Sequence, residues 1–242
     1  MKPLLSAALL CLSAILLSCS KDPGAGCLDS SGPVREEIRY LQPFQKLRIC
    51  DNLKVTWHDS SALFMKLRCG KNLMEGVASR QSSDELILEN QNRCNWVRRY
   101  DLPMEIDLWS PAPWLIRLDG FGEFNCEDSL NAGLLTLQCY GAGKAFVKVA
   151  GGLFFCDFAA QENAEVSGHA GSGVFSIQNT GRLDASALRI DRLEIKMKGE
   201  NDALIQVRDS LWGIHSSHRK VFLKGNPRQS VQFLSTGVIE TI

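Results

Sequence analysis

The chain has 242 residues, of which 45% are hydrophobic, and its 27 Lys plus Arg residues equal its 27 Asp plus Glu residues. A balanced charge argues against a nucleic-acid or anionic-membrane partner, because such partners usually select a basic excess on the domain that meets them. The length suits one elongated domain or two closely joined ones.

The first 18 residues have the composition of a secretory signal. One basic residue, Lys2, precedes an apolar run from Leu4 to Leu17, which is too short and too weakly flanked for a spanning helix. Ser18 stands directly before Cys19, and a small residue in that place after leucines resembles the lipobox of bacterial lipoproteins. The resemblance implies lipidation of Cys19 and attachment to a membrane through the lipid. Ordinary cleavage and a retained anchor are the alternatives.

Two segments precede a regular repeat. Residues 19–33 are rich in Ser, Gly, Asp and Pro, which predicts a tether with little capacity to pack. Residues 34–113 contain short alternating apolar runs between turn-forming sequences, which predicts a β-rich part of the molecule. These apolar positions are Leu47, Ile49, Leu53, Val55, Trp57, Leu63, Met65, Leu67, Leu86, Leu88, Met104, Ile106 and Leu108. We expect this part to cap or open the repeat, because an exposed first coil would leave strand edges unpaired.

Residues 114–242 repeat a strand, a tight corner and a second strand about every 19 residues. The positions two and four residues before each corner are apolar, and the residues between them are mostly polar, so each run is predicted to be a half-buried strand. The positions two before are Leu118, Cys139, Phe158, Ile177, Met197 and Ile214, and those four before are Ile116, Leu137, Cys156, Phe175, Ile195 and Trp212.

No helical stretch interrupts these units, so the repeat predicts a coiled parallel sheet. One coil cannot bury its inner face alone, but stacked coils bury all of them. After the corners the inward alternation resumes, and it slips by one residue in the last coil at Val221 and Leu223, which predicts a bulge or a shorter corner there. Glycine and asparagine at the corners are expected to supply positive φ angles.

Several of these segments together carry a resemblance to a known family. They are Arg93–Tyr100, Leu102–Ile106, the Gly-x-Gly corners and Val221–Pro227. From about Phe44 to Pro227 the chain resembles the Bacteroidetes family described as putative auto-transporter adhesin, head GIN domain. The resemblance implies an envelope protein with an all-β, right-handed parallel β-helix fold and no established activity. The chain departs from the family pattern at the corners 160–162 and 216–218, which lack glycine.

The glycine, cysteine and histidine patterns point to structure more than to chemistry. Every Gly-x-Gly leads into another strand, so no phosphate site is expected. No Cys-x-x-Cys occurs, and we expect neither a metal site nor a cofactor, because the close pair His215 and His218 supplies only two ligands. Among the cysteines after Cys27, Cys126, Cys139 and Cys156 are expected core residues, and Cys50, Cys69 and Cys94 are disulfide candidates.

The sharpest chemical hypothesis concerns Glu165 and Asp184. They occupy equivalent outward positions in successive coils, so their backbones should lie about 4.8 Å apart. Such a pair could cleave a polysaccharide, since retaining glycosidases use two close carboxyl groups, or it could hold a cation. It could also consist of solvated surface charges, because the short coils carry no long loops to wall a cleft.

Two further surfaces are candidates for binding. The segment containing Trp96, Arg98, Arg99 and Tyr100 could stack a sugar or bind an acidic glycan, although such a segment is more often a packed loop. A mixed-charge outward strip is also predicted, and its members are Arg117, Tyr140, Asp157, Lys196 and Lys198.

These observations predict a lipoprotein of the outer membrane of a Gram-negative bacterium, facing the periplasm or the cell surface. Its expected role is that of a non-catalytic binding, adhesion or structural module whose partner is a glycan or a surface protein. The alternatives are a polysaccharide-cleaving enzyme that uses Glu165 and Asp184, and a scaffold in an envelope complex.

Overall fold

A computed structural model describes residues 30–92 and 104–242, and almost all of its regular structure is β-strand. The described strands are β1 Val34–Tyr40, β2 Lys46–Ile49, β3 Lys54–Asp59, β4 Phe64–Gly70, β5 Val77–Ser82, β6 Glu85–Asn90, β7 Glu105–Ser110, β8 Leu115–Leu118, β9 Glu123–Cys126, β10 Leu134–Cys139, β11 Lys144–Phe158, β12 Ala164–Ile177, β13 Leu183–Met197, β14 Ala203–His215, β15 Lys220–Lys224, β16 Arg228–Phe233 and β17 Val238–Thr241. A 3₁₀ helix, η1, spans Lys71–Gly76.

The strands stack in parallel into two sheets joined at the corners. The first sheet contains β6, β2, β8, β10, the C-terminal halves of β11 to β14, and β16. The second sheet contains β7, β3, β9, the N-terminal halves of β11 to β14, β15 and β17. The predicted all-β parallel β-helix is therefore confirmed, because each coil buries its inner face against the next.

The core consists of in-register columns of apolar side chains. One column runs from Leu118 through Cys139, Phe158 and Ile177 to Met197, and all five residues are buried. Full burial of a large apolar side chain contributes about 1.5 to 3 kcal/mol, so the columns account for much of the stability of the fold. The alternation in the sequence predicted these five positions correctly.

The last predicted coil departs from that pattern at Trp212 and Ile214. Both were expected to point inward, but they are 38% and 39% exposed, and His215 is 0% exposed instead. The cause is the position of the last corner. The backbone N–H of Ser216 donates to Met197 as that of Lys198 donates to Ile177 one coil earlier, so the corner begins at Ser217, one residue later than predicted. The inward positions of β14 keep a single alternation, which places Trp212 and Ile214 outward. These inward residues are Ala203, Ile205, Val207, Leu211 and His215.

The corner glycines serve a different purpose from the one predicted. A Cβ on Gly120 would collide with the carbonyl oxygen of Asp51, and a Cβ on Gly141 with that of Gly120. Positive φ is confirmed at the corner asparagine Asn179, at 60°, and it also occurs at Asp51, at 61°. The glycines are thus required by the close approach of stacked backbones rather than by left-handed conformation.

At the N-terminal end the spatial order of the coils differs from the chain order. The β2–β3 coil lies between the β6–β7 coil and the β8–β9 coil. Antiparallel strands flank this end, with β5 beside β6, β4 beside β7, and β1 beside β4. Arg39 of β1 donates to the carbonyl oxygens of Val77 and Met74, so a charged strand covers the apolar interior.

Within the two described ranges, no helix has both the length and the apolar character needed to cross a membrane. The predicted signal of residues 1–18, Cys19 and residues 20–29 of the predicted tether lie outside the described residues.

Candidate functional site

A bulge on the second sheet creates a concavity beside the predicted carboxylate pair. Glu165 of β12 pairs in register with Asp184 of β13, as the repeat predicted. Two residues later the register has shifted by one, because Ser167 pairs with Ala187. The additional residue bends β13 and opens a concavity of about 230 Å³, which we call the acidic groove. Its lining residues are Cys126, Phe146, Val147, Lys148, Glu165, Val166, Ser167, Asp184, Ser186 and Ala187.

The polar and aromatic side chains of the acidic groove form one outward row. Phe146 pairs with Glu165, and Glu165 pairs with Asp184, so the three side chains lie on successive strands. Glu165 is exposed, whereas Asp184 is half-buried and its Oδ1 accepts the backbone N–H of Ser186 at 3.0 Å. The Nζ of Lys148 donates to the carbonyl oxygen of Glu127 at 2.7 Å, which holds the ammonium group at the margin.

This geometry suits binding better than proton transfer. A carboxylic acid that acts as a general acid at neutral pH needs an apolar, buried environment to retain its proton. Glu165 is solvent-exposed, and nothing described around it excludes water. The groove instead offers carboxylate oxygens that accept hydrogen bonds beside one phenyl ring. In residues 30–92 and 104–242, no three His, Cys, Asp or Glu side chains are placed to hold a metal ion.

The predicted mixed-charge strip lies on the outer face of the first sheet, where Arg117, Asp157 and Lys196 belong to one in-register row. The hydroxyl of Tyr140 donates to Asp157 at 2.6 Å, and Arg117 lies over the Tyr140 ring at 5.0 Å. Partial burial, with the Asp157 hydrogen bond, raises the pKa of Tyr140 to about 12. Lys196 instead forms an ion pair with Glu194 at 3.1 Å. The other predicted surface, with Trp96, Arg98, Arg99 and Tyr100, lies outside the described residues.

The cysteines and the paired histidines have structural surroundings. Cys126, Cys139 and Cys156 are buried, as expected of core residues. Cys50 and Cys69 are free thiols, so the structure does not pair these two disulfide candidates, and Cys94 lies outside the described residues. His215 and His218 do not converge on one point, since the first is buried and the second exposed.

Sequence reasoning missed an aromatic stack on the outer face of the second sheet. Phe64, Trp109 and His58 lie on adjacent strands, and the Trp109 centroid is 4.6 Å from that of Phe64 and 4.7 Å from that of His58. The signal available in the sequence was a large aromatic residue at an outward position of an alternating run. Trp212, which the sequence analysis predicted to point inward, is also on an outer face, that of the first sheet.

A family model described as putative auto-transporter adhesin, head GIN domain, matches residues 43–227. The chain belongs to this family. No curated protein matches the sequence significantly. The family assignment agrees with the resemblance carried by the corners and by Val221–Pro227.

Solved structures share the fold of this adhesin-family chain. A putative adhesin from Bacteroides fragilis has 16% identity and a TM-score of 0.77, over 87% of this chain and 97% of its own. A putative adhesin from Parabacteroides distasonis has 14% identity and a TM-score of 0.70, over 87% and 98%. A putative lipid binding protein from the same species has 14% identity and a TM-score of 0.67, over 89% and 99%. At these identities the likeness concerns the fold alone.

Proposed function

We propose that the protein is a non-catalytic binding module of the bacterial cell envelope that holds a glycan in the acidic groove. The observation that carries the proposal is the row of Phe146, Glu165 and Asp184 across three successive strands, beside the bulge. Membership of an adhesin family agrees with binding at an envelope or cell-surface location.

The row offers groups for both the polar and the apolar parts of a sugar ring. Carboxylate oxygens of Glu165 and Asp184 accept hydrogen bonds from sugar hydroxyls, and the phenyl ring of Phe146 packs against sugar C–H groups. Such an open site binds weakly, because it buries little of the ligand. Many copies on one cell would raise the overall strength through multivalency.

Glycan-array binding with the intact protein tests this proposal. We expect the wild type to retain a subset of neutral glycans and to release no reducing ends. Glu165→Gln with Asp184→Asn should lower binding at least about tenfold. Glu200→Gln, a change at an exposed corner away from the groove, is the matched control and should leave binding unchanged. Unchanged binding in the double variant would refute the role of the groove.

The polysaccharide-cleaving enzyme remains a second candidate because of one observation, the in-register pairing of the two carboxylates. Retaining glycosidases place their carboxyl groups about 5 to 5.5 Å apart, which adjacent strands can supply. Release of reducing ends that either single variant abolishes would favour this enzyme over the binding module. Co-purification with other envelope proteins, without glycan binding, would favour a scaffold.

We further propose that lipid on Cys19 attaches the protein to the outer membrane. The lipobox resemblance supports this, and residues 19–33 would then act as the tether between membrane and solenoid. Cys19→Ser should move the protein from the membrane fraction to the soluble fraction. Protease treatment of intact cells distinguishes the two faces of the membrane, because only a surface-facing protein is digested.

A further inference from the structure

The outer face of the first sheet carries arginines around an exposed tryptophan near the C-terminal end. Arg192, Ser210 and Arg228 lie in register on three successive coils. Two residues further along β14, Trp212 points outward from the same face and is 38% exposed. We call Arg192, Ser210, Trp212 and Arg228 the Trp212 surface.

The outward position of Trp212 follows from the alternation of β14, in which Leu211 and His215 are buried. Relative to β13, β14 has one additional residue between Val207 and Ser210, so Trp212 lies beside Glu194 on the outer face rather than beside the buried Ile195. Gly213, with φ of 131°, follows Trp212 directly in the shifted segment. A shallow depression of about 570 Å³ adjoins the indole, and its lining residues are Trp212, Gly213, Gln229, Ser230, Val231 and Gln232. Space for a ligand is therefore available beside the ring.

The charge of the surface is positive at two defined points. In the described ranges, neither Arg192 nor Arg228 has an acidic partner within ion-pair distance. The neighbouring Arg208 is already committed, because it binds both carboxylate oxygens of Asp209 and lies 3.3 Å from Asp191. Asp209 lies near Arg192 and Arg228 as well, and both arginines add to the effect of Arg208 in lowering its pKa. Because neither forms an ion pair, both retain hydrogen-bond donors for an anionic ligand.

The spacing of the two arginines favours an extended anion. They are separated by two strand steps, about 9.6 Å, with Ser210 between them. One compact anion would engage both guanidinium groups only if the two side chains bent toward each other, whereas an extended chain with repeated charges can bind each without this change. The indole of Trp212 meanwhile offers an apolar surface for the C–H groups of a sugar ring.

We propose that the Trp212 surface binds a linear acidic polysaccharide with carboxylates on alternate sugars. Carboxylates on the two sugars flanking the one packed against Trp212 accept bidentate hydrogen bonds from Arg192 and Arg228. The serine hydroxyl of Ser210 lies between them and is able to donate to the polysaccharide backbone. The Trp212 surface is on the first sheet and the acidic groove is on the second, so each proposal can be tested without the other.

Binding of hyaluronan oligosaccharides to the intact protein tests the inference, with uncharged dextran and vesicles containing phosphatidylglycerol as the competing probes. We expect hyaluronan to bind, dextran not to bind, and the affinity to fall with rising salt. Arg192→Gln with Arg228→Gln should weaken binding at least about tenfold, and Trp212→Ala should weaken it with the salt dependence retained. Both Arg192 and Arg228 are exposed, so the double variant is expected to keep the fold, which circular dichroism can check.

Arg182→Gln with Arg219→Gln is the matched control, since both arginines are exposed at corners away from the Trp212 surface. Equal losses in the control pair would overturn the inference, because they would indicate a general charge effect. Equal or stronger binding to the vesicles would assign the surface to an anionic membrane instead. Absence of hyaluronan binding at low salt would also overturn it.

Discussion

The imidazole ring of His215 stacks on the ring of Phe233, with centroids 5.5 Å apart and planes 28° from parallel. His215 continues the buried column beyond Met197, and neither of its ring nitrogens has a hydrogen-bond partner among the described residues. Burial lowers the pKa of His215 below its ordinary value of 6.5, although nearby backbone of Arg219 and Ser217 opposes part of this effect. A polar ring therefore occupies an apolar position.

The first prediction is that acid destabilises the protein through His215. Because the folded pKa is below the unfolded value, the unfolded state binds more protons, and the free energy of unfolding falls as the pH drops below 6.5. His215→Leu should remove this loss between about pH 7.5 and pH 5.5, as urea unfolding can measure. His218→Gln, at an exposed histidine, is the control and should keep the wild-type dependence. Equal pH dependence in His215→Leu and the wild type would contradict the prediction.

The second prediction concerns the contact between stacked corners. A Cβ on Gly141 would overlap the carbonyl oxygen of Gly120, so Gly141→Ala forces neighbouring coils apart and should cost at least about 1 to 3 kcal/mol. Gly133 has no heavy atom within 4 Å of the position a Cβ would take. Gly133→Ala should therefore be neutral or slightly stabilising. Equal thermal unfolding midpoints for the two variants would argue against close packing at the corner.

The third prediction concerns a buried hydrogen bond in the N-terminal coils. The indole Nε1 of Trp57 donates to the hydroxyl of Ser110 at 3.0 Å, and both residues are buried. Ser110→Ala leaves this donor without its acceptor and should lower the free energy of unfolding by about 1 to 3 kcal/mol. In a Trp57→Phe background the same change should cost less. Additive losses in this double-mutant cycle would show that the hydrogen bond contributes nothing.

The fourth prediction concerns the order in which thiols react. Burial raises the pKa of Cys139 to about 12 and that of Cys156 well above its ordinary value, so little thiolate forms in the folded protein. Cys50 is only half-buried. Peptide mapping after iodoacetamide treatment should find Cys50 labelled in the native protein, and Cys139 and Cys156 labelled only after unfolding. Rapid native labelling of Cys156 would contradict its place in the core.

The carboxylate pair illustrates how much of the candidate site the sequence could predict. Glu165 and Asp184 stand equally far beyond their corners, so counting residues from the corners is enough to align them. The acidic groove beside them was not predictable in this way. It depends on one additional residue in β13, where the buried positions change phase from Ala185 to Leu188, and a change of phase in the sequence does not show that a groove opens beside it.

Trp212 and Gly141 show what the sequence could not predict. Trp212 was assigned to the core because the sequence does not show that the last corner begins at Ser217 rather than Ser216. Glycine at position 141 has two physical explanations that a sequence does not separate. Conformational freedom and close approach of backbone both select glycine. Only the distance to the neighbouring coil distinguishes them.

The sequence by itself determined the parallel coils, their inward columns and the family, because a period of two within a period of about 19 admits few other ways to bury apolar side chains. The tertiary structure alone decided which side chains reach the surface near bulges and that β2–β3 lies between later coils. Those features follow from pairing between distant strands. Backbone hydrogen bonds join these strands, and their donors and acceptors are nearly the same in every residue, so the sequence does not show which distant strands pair.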